Sequence, residues 1–157
     1  MLTWFSYFQR FGQNFLRGAG VTLELTAVGL AIGFVLGLLL ALARCYGLKW
    51  LRGLAGAYIA IFRGTPLLVQ LFIIYYGLPE IGIAFSQNMA AYLALGLNSA
   101  AYQAEYLRGS INAIGAAQMS AGRSIGLSKW QTIGHIILPQ ALRLALPSWS
   151  NEPISSF

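Results

Sequence analysis

Side chains of the types that do chemistry are scarce and scattered in this chain. Its 157 residues include one histidine, one cysteine and four acidic residues. The sequence has no carboxylate pair for acid–base catalysis, no histidine cluster and no nucleophile beside a base. One histidine and one cysteine also argue against a metal site, and the lone Cys45 has no disulfide partner. We therefore expect no catalytic residue, no metal and no cofactor, and the residue types favour binding or transport over a membrane enzyme.

Polar side chains inside long apolar segments are the second chemically informative group. Asn98 lies deep in such a segment, where its amide must find a partner or line a wet path. It is interpreted either as a contact to the amino or carboxylate group of a substrate or as a hydrogen bond between helices. Gln70 is a further candidate for the lining of such a path, and Glu152 could face an amino or guanidinium group. Glu105 is expected to form an ion pair with Arg108 on the next helical turn.

The composition places these residues in a membrane protein. Apolar residues make up 57% of the chain and charged residues 9%, whereas soluble domains have about 25% charged residues. Because so few charges cannot cover a surface that faces water, a bilayer is the expected solvent. The net charge of +6 comes from cations between apolar segments, which favours contact with membrane lipid over nucleic acid.

Apolar runs predict one all-α transmembrane domain over residues 21–157. Residues 1–20 are mixed and aromatic, and we expect them to form an interfacial amphipathic lead-in. A run of about 20 apolar residues is long enough to cross the hydrocarbon layer as a helix. The predicted spans are about 21–43, 54–78, 89–107 and an incomplete one at 141–157.

Small residues and a proline give these spans more detail. Gly29, Gly33, Gly37 and Ala41 recur every four residues, so they predict a helix face that another helix approaches closely. Pro66 removes a backbone donor and clashes with the preceding turn, so the second helix kinks or restarts there. One kinked span is the preferred interpretation. The alternative is a short interfacial helix followed by a span that starts near Pro66.

The distribution of lysine and arginine predicts the orientation in the membrane. With the N-terminus outside, the inner segments carry Arg44, Lys49, Arg52, Arg108, Arg123 and Lys129, and the outer segments carry Arg10 and Arg17. The segments 44–53 and 108–140 are therefore expected in the cytoplasm.

The segment 108–140 is a polar island between apolar spans. Within it, residues 118–125 are expected to form a short helix, which Gly126 can end because glycine adopts positive φ at no steric cost. Ser128 can cap the next helix through its hydroxyl. The island is thus predicted to be a helix–turn–helix on the membrane surface that docks on another protein. Trp130 is interpreted either as an anchor in the membrane interface or, preferably, as an apolar plug for a groove in that partner.

Several phrases of the sequence resemble the permease subunits of binding-protein-dependent ABC importers. The spacing between Gly126 and Ile136-x-Leu138-Pro139 is similar to the EAA loop of that family. The phrases at 62–70, 100–105 and 137–143 resemble its polar-amino-acid branch, which includes histidine, glutamine, arginine and opine permeases. The resemblance covers most of the chain, from about Gly20 to Glu152.

The resemblance implies a set of partners in the bacterial inner membrane. Such permeases are bundles of five or more transmembrane helices, of which about four would be present here, and they pair as homodimers or heterodimers. Two cytoplasmic ATPase subunits bind ATP and the EAA loops, and an extracytoplasmic solute-binding protein delivers the amino acid. The sequence has no Walker-type glycine loop, so ATP is expected on the partner only. The coupling loop is expected at 115–136, with the contact residues Ser120, Ala121, Gly122, Gly126, Trp130, Ile136, Leu138 and Pro139.

Departures from the family pattern leave alternatives open. The EAA triplet is Ser120-Ala121-Gly122 here, which removes a carboxylate and places in a helix a glycine that costs about 1 kcal/mol relative to alanine. The sequence ends at Phe157 before a complete last helix, so a truncated, non-functional permease is one alternative. A DNA-binding helix-turn-helix at 118–136 is another, although its second helix carries too few cations for phosphate contacts.

Overall fold

A computed structural model describes the backbone of residues 4–155 and the side chains of residues 11–147. Within this range the chain is helical, which confirms the predicted all-α class. The α-helices are α1 (Trp4–Tyr46), α2 (Lys49–Gly64), α3 (Leu67–Phe72), α4 (Gln87–Ser124), α5 (Lys129–Thr132) and α6 (Leu138–Ser155). Helix α3 continues through a π-helical turn, Ile73–Gly77, and a 3-10 turn, Leu78–Ile81, and a second π-helical turn, Ile133–Ile137, joins α5 to α6.

The long helices α1 and α4 pack side by side in parallel. The facing pairs are Gly29 with Leu95, Gly33 with Ser99 and Gly37 with Gln103. A Cβ atom at Gly33 would lie 2.5 Å from Ser99 Oγ, so only glycine permits this separation of the helices. Ala41, the fourth small residue of the face, is fully buried. The predicted small-residue packing face of α1 is therefore confirmed.

Both long helices extend beyond the expected boundaries. Helix α1 runs through Gly20 without a break, so from Trp4 onward the expected lead-in is helix that continues into the first apolar span. Helix α4 likewise runs unbroken to Ser124, and the short helix expected at 118–125 forms its last turns. The reason is local: the segment 108–117 contains two glycines and no proline. Glycine costs a helix about 1 kcal/mol and proline about 3, so nothing there stops α4.

The second apolar segment breaks at Pro66, as the sequence predicts. Helices α2 and α3 meet there at a bend of 105°. Thr65 and Pro66 both have extended backbone conformations. Proline lacks an N–H group and disfavours a helical conformation in the residue before it, which explains both conformations. Both interpretations of this segment, one broken span and an interfacial helix followed by a span, place the break where it is observed.

Length and hydropathy single out α1 as a membrane-crossing helix among the described residues. Its part Phe11–Tyr46 has 36 residues and a mean hydropathy of 2.5. The bent pair Lys49–Gly64 and Leu67–Ile81 passes the same test when it is counted as one span. The predicted number of four spans stays a prediction.

Two apolar cores hold the helices together, one in each half of α4. The larger core joins the C-terminal parts of α1 and α4 to the π-helical turn before α6 and to α6 itself. Its buried members are Ala41, Leu107, Ile111, Ile133, Ile137, Ala141 and Ala145. The smaller core joins α3 and its π-helical turn to the start of α4, with Ile74, Ala90 and Ala94 buried. The larger core fixes the position of the predicted coupling loop relative to α1 and α4.

Candidate functional site

The connection between α4 and α5 is a tightly defined turn, which we call the Gly126 turn (residues 120–132). Gly126 has a φ of +88°, the left-handed conformation that glycine adopts without strain. The Leu127 N–H donates to the Gly122 carbonyl at 3.1 Å, and the Gly126 N–H donates to the Arg123 carbonyl at 3.1 Å. This pair of hydrogen bonds is a Schellman motif, which satisfies the last carbonyls of α4. The predicted role of Gly126 in ending the helix is confirmed.

Ser128 begins α5, as the sequence predicts, through its hydroxyl group. The Gln131 N–H donates to Ser128 Oγ at 3.3 Å, and the Ser128 N–H donates to Gln131 Oε1 at 2.8 Å. These reciprocal hydrogen bonds form a capping box. The sequence interpretation missed the part played by Gln131, although serine followed three residues later by glutamine is the pattern typical of this motif.

Gly122 has a packing role that the sequence did not indicate, while its expected place in an ATPase contact stays a prediction. Its backbone lies against Thr132, and a Cβ atom at Gly122 would lie 2.5 Å from Thr132 Cγ2. Both residues are buried. Glycine at this position therefore allows the last turn of α4 to contact α5. Alanine would favour the helix but would prevent this contact.

The outer surface of the Gly126 turn is apolar at two points. Ile125 is 76% exposed and Trp130 is 64% exposed, one on each side of Gly126. The sequence interpretation missed Ile125. Of the other expected contact residues, Ser120, Ala121 and Pro139 are exposed, while Ile136 and Leu138 are half-buried. The turn thus presents a small surface with two large apolar side chains, and Gly122 lies beneath that surface.

The Gly126 turn also contacts the end of α1. Lys129 Nζ donates to the Tyr46 carbonyl at 3.4 Å and lies 5.6 Å from the centre of the Tyr46 ring. The two residues are 83 positions apart in sequence. No local pattern in the sequence could have indicated this contact.

The structure brings two of the predicted path residues, Asn98 and Gln70, into direct contact. Asn98 Nδ2 donates to Gln70 Oε1 at 3.2 Å and to the Phe62 carbonyl at 3.3 Å. Gln70 Nε2 donates to the carbonyls of Phe62 at 2.9 Å and Thr65 at 3.1 Å. The helix-bonding alternative for Asn98 is confirmed, and a contact of either amide with a substrate stays a prediction.

The side-chain amides of Asn98 and Gln70 also donate hydrogen bonds to backbone carbonyls at the end of α2. The last carbonyls of a helix have no partner within the helix, and at the break before Pro66 the carbonyls of Phe62 and Thr65 accept hydrogen bonds from the Gln70 amide. Gln70 is only 6% exposed, so water cannot easily replace it as the donor to these carbonyls. The side chains of α3 and α4 thus cap the broken helix.

An ionic cluster lies further along α4. Arg108 donates to Glu105 through Nε at 2.8 Å and through Nη2 at 2.7 Å, which confirms the predicted ion pair. Arg63, the last cation of α2, approaches the same carboxylate at 3.9 Å and lies 5.1 Å from the centre of the Tyr102 ring. The cluster therefore ties the end of α2 to α4.

Two further expectations concern Glu152 and metal ions. Glu152 lies in the backbone of α6, and its side chain is outside the described residues. Among the side chains of residues 11–147, no group of three or more His, Cys, Asp or Glu residues is placed to hold a metal ion.

Comparison with known proteins gives relatives over most of the chain. It is 48% identical over 136 residues to the protein named "Probable amino-acid ABC transporter permease protein YckA" of Bacillus subtilis (strain 168), which covers 87% of this chain and 60% of that protein. It is 44% identical over 153 residues to "Probable amino-acid ABC transporter permease protein PatM" of Vibrio harveyi, which covers 94% of this chain and 67% of that protein. The chain thus spans about two thirds of the length of these relatives.

Other relatives, 39 to 45% identical, have names that refer to glutamine, L-cystine, octopine or arginine transport. Among solved structures, the crystal structure of an amino acid ABC transporter with histidines matches with a TM-score of 0.84 and 37% identity. That match covers 99% of this chain and 73% of the other. The helical bundle is therefore of the class found in membrane transport proteins.

A family model described as "Binding-protein-dependent transport system inner membrane component" matches residues 33–156. The chain belongs to this family. Membership confirms the resemblance drawn from the motifs around Gly126 and agrees with a transport subunit that is not itself an enzyme. It also makes the inner membrane the place where this chain is found.

Proposed function

We propose that this chain is the permease subunit of an ABC importer that carries polar amino acids across the bacterial inner membrane. The family supports the transport role, and the names of the relatives support the amino-acid class. In this proposal the chain crosses the membrane several times, with its N-terminus outside and the Gly126 turn in the cytoplasm. The excess of lysine and arginine in the inner segments supports that orientation.

The observation that carries the proposal is the construction of the Gly126 turn. A Schellman motif, a capping box and the Gly122–Thr132 contact fix its backbone. A stiff turn with exposed Ile125 and Trp130 is suited to transmit a push or pull from a bound protein. Separate cytoplasmic ATPase subunits are the partners we propose for this surface, and these subunits alone bind and hydrolyse ATP.

The remaining partners follow from the same proposal. A second permease subunit, a copy or a different chain, pairs with this one across the membrane. An extracytoplasmic solute-binding protein delivers the amino acid to the outer face. Asn98, Gln70 and Glu152 are the candidates for the substrate path, because amides and carboxylates at membrane depth recognise the charged ends of an amino acid.

Trp130 provides the sharpest test of docking, because the chain contains a matched control. Trp50 on α2 is 63% exposed and Trp130 is 64% exposed. A buried tryptophan at a protein interface commonly contributes about 2 kcal/mol or more, so Trp130→Ala should weaken binding of the cognate ATPase about thirtyfold. Trp50→Ala should leave that binding unchanged. Binding is measured by co-purification and by titration of the ATPase onto permease in nanodiscs.

Import is measured in proteoliposomes that contain this chain, its partner permease, the ATPase and the binding protein. We expect amino-acid uptake only when ATP is present and the ATPase is included. The proposal is wrong if the ATPase never binds the wild-type complex, if uptake proceeds without ATP, or if the permease hydrolyses ATP alone. Equal loss of ATPase binding in the two tryptophan variants would show that Trp130 has no special part in docking.

A further inference from the structure

Lys129 makes polar contact with a part of the molecule that is remote in sequence, the cytoplasmic end proposed for α1. We propose that Lys129 is a positioning residue that fastens the Gly126 turn to Tyr46, so that movement of the turn reaches α1 as well as α6. This inference rests on the proposed function and adds a second route by which an ATPase moves the membrane helices.

Two interactions make up the Lys129–Tyr46 contact. Lys129 Nζ donates to the Tyr46 carbonyl at 3.4 Å, and the same ammonium group lies 5.6 Å from the centre of the Tyr46 ring. Tyr46 is the last residue of α1, where carbonyls lack partners and the helix dipole is negative. A lysine at this place satisfies a carbonyl, opposes the dipole and binds the face of an aromatic ring.

Lys129 is held in position from its own side as well. It is the first residue of α5, directly after the Ser128 capping box. Its ammonium group also lies 5.6 Å from the centre of the Trp130 ring. The Lys129 ammonium group therefore lies near both aromatic rings, and a partner that moves Trp130 also acts on the cation that contacts Tyr46.

Tyr46 contacts helices other than its own, so it can transmit movement of the Gly126 turn. Its side chain packs against the larger apolar core, which includes Leu107 of α4 and Ile133 of the π-helical turn. Its hydroxyl oxygen lies 3.7 Å from the place of a Cβ atom at Gly115 on α4. The half-buried Tyr46 thus lies between α4 and the Gly126 turn, and on this proposal a shift of Lys129 displaces the end of α1 relative to α4.

The connection matters because of the order of the helices along the chain. Helix α6 follows α5 directly through a π-helical turn, so the backbone itself moves α6 with the Gly126 turn. Along the chain, helix α1 is separated from the turn by α2, α3 and α4, so side-chain contacts must carry the movement to it. The glycine face of α1 then bears directly on α4.

The first test separates coupling from docking in the complete transporter. Lys129→Met keeps the length of the side chain and removes its charge, and we expect import per ATP hydrolysed to fall about fivefold, the effect of losing a moderate cation–π contact. The ratio is measured at saturating ATPase, so that weaker docking by this residue of the Gly126 turn does not enter it. Lys129→Arg should restore the ratio, because a guanidinium group donates to carbonyls and binds aromatic rings as well. Lys49→Met, which removes an exposed cation at the start of α2, is the matched control.

Tyr46→Leu tests whether Lys129 acts through this residue. The variant keeps the carbonyl and loses the ring, so it should lower import per ATP, and combining it with Lys129→Met should add little to the loss. Full additivity of the two changes would show that they act separately. The inference is overturned if Lys129→Met has a normal ratio of import to ATP hydrolysis, or if Lys49→Met lowers that ratio equally.

A second measurement needs no transport. Spin labels are placed on Leu48→Cys and Gly134→Cys in a Cys45→Ser background. They report the distance between the connection that follows α1 and the π-helical turn Ile133–Ile137. Leu48 is 68% exposed, and a Cβ atom at Gly134 meets nothing within 4 Å, so both positions accept a label. Lys129→Met should broaden the distance distribution, whereas Lys49→Met should not.

An unchanged distribution in Lys129→Met would overturn the inference even if the transporter is active. If Lys129→Met broadens the distance distribution but the wild-type complex imports no amino acid, the Lys129–Tyr46 contact is supported and the proposed function is rejected. The two failures are therefore distinguishable.

Discussion

Two glycines of the Gly126 turn are required for different physical reasons. Gly126 is required for its backbone conformation, since its φ is +88°. Gly122 is required for space, since Thr132 occupies the place of a side chain there. The sequence predicted the first requirement, because a helix that ends before a serine cap needs a residue that tolerates positive φ. It could not predict the second, because the position of Thr132 depends on how α5 folds back.

Gly122→Ala is expected to destabilise the protein even though alanine is the better helix former. Its Cβ would lie 2.5 Å from Thr132 Cγ2 in a buried place, so the free energy of unfolding should fall by about 1–3 kcal/mol. Gly109→Ala is the matched control, because a Cβ at Gly109 of α4 meets nothing within 4 Å. The change Gly109→Ala should raise the free energy of unfolding by about 0.5–1 kcal/mol.

Thermal unfolding in detergent, followed by circular dichroism, measures both variants. Adding Thr132→Ala to Gly122→Ala removes the nearest atoms and should recover part of the loss. The steric explanation is wrong if Gly122→Ala is as stable as Gly109→Ala, or if the second substitution gives no recovery.

At the scale of helices, the sequence predicted contacts and breaks better than lengths. The four-residue spacing from Gly29 to Ala41 predicted the packing face of α1, and Pro66 predicted the end of α2. Both signals are local, because they depend on the size or backbone of single residues. The sequence does not indicate the extension of α4 to Ser124, because a polar surface is compatible both with a separate short helix and with the end of a longer one. Polarity marks where a helix leaves the apolar region, and it does not mark where the helix ends.

Gln70 shows why a polar side chain in an apolar segment need not face a substrate. Its amide donates to the carbonyls of Phe62 and Thr65 at the end of α2, and these partners exist only because the helix breaks. Asn98 adds a second donor to the Phe62 carbonyl. The sequence predicted that both side chains are important, and it could not predict that they meet.

Gln70→Leu is therefore expected to destabilise the protein by about 1–3 kcal/mol, since it removes the donor to the carbonyls of Phe62 and Thr65 and takes one acceptor away from Asn98. Gln140→Leu is the control, because Gln140 is exposed and donates to a carbonyl only four residues earlier, that of Ile136. Its effect should stay within about 0.5 kcal/mol. The measurement is the thermal unfolding of the two variants in the same detergent, and equal melting temperatures would contradict the capping role.

At the scale of the whole molecule, the parallel packing of α1 and α4 determines which connections share a side. Both helices run in the same direction, so the turn after α1 at Gly47 lies at the same end as the Gly126 turn. The segment between α3 and α4, around Ile83, lies at the other end. The charges of the sequence predict that the Gly47 and Gly126 turns lie on one side of the membrane and the segment around Ile83 on the other. The parallel packing of α1 and α4 is an independent geometric reason to expect the same arrangement.

The orientation predicts opposite labelling of two exposed residues. Ile83 is 47% exposed and Ile125 is 76% exposed, so a cysteine at either place should react readily once a reagent reaches it. In a Cys45→Ser background, a membrane-impermeant maleimide should label Ile83→Cys in intact spheroplasts. It should label Ile125→Cys only after the membrane is permeabilised, because the positive-inside bias places the Gly126 turn in the cytoplasm. The reverse pattern would place the N-terminus inside, and labelling of both from outside would contradict the view that α4 crosses the membrane.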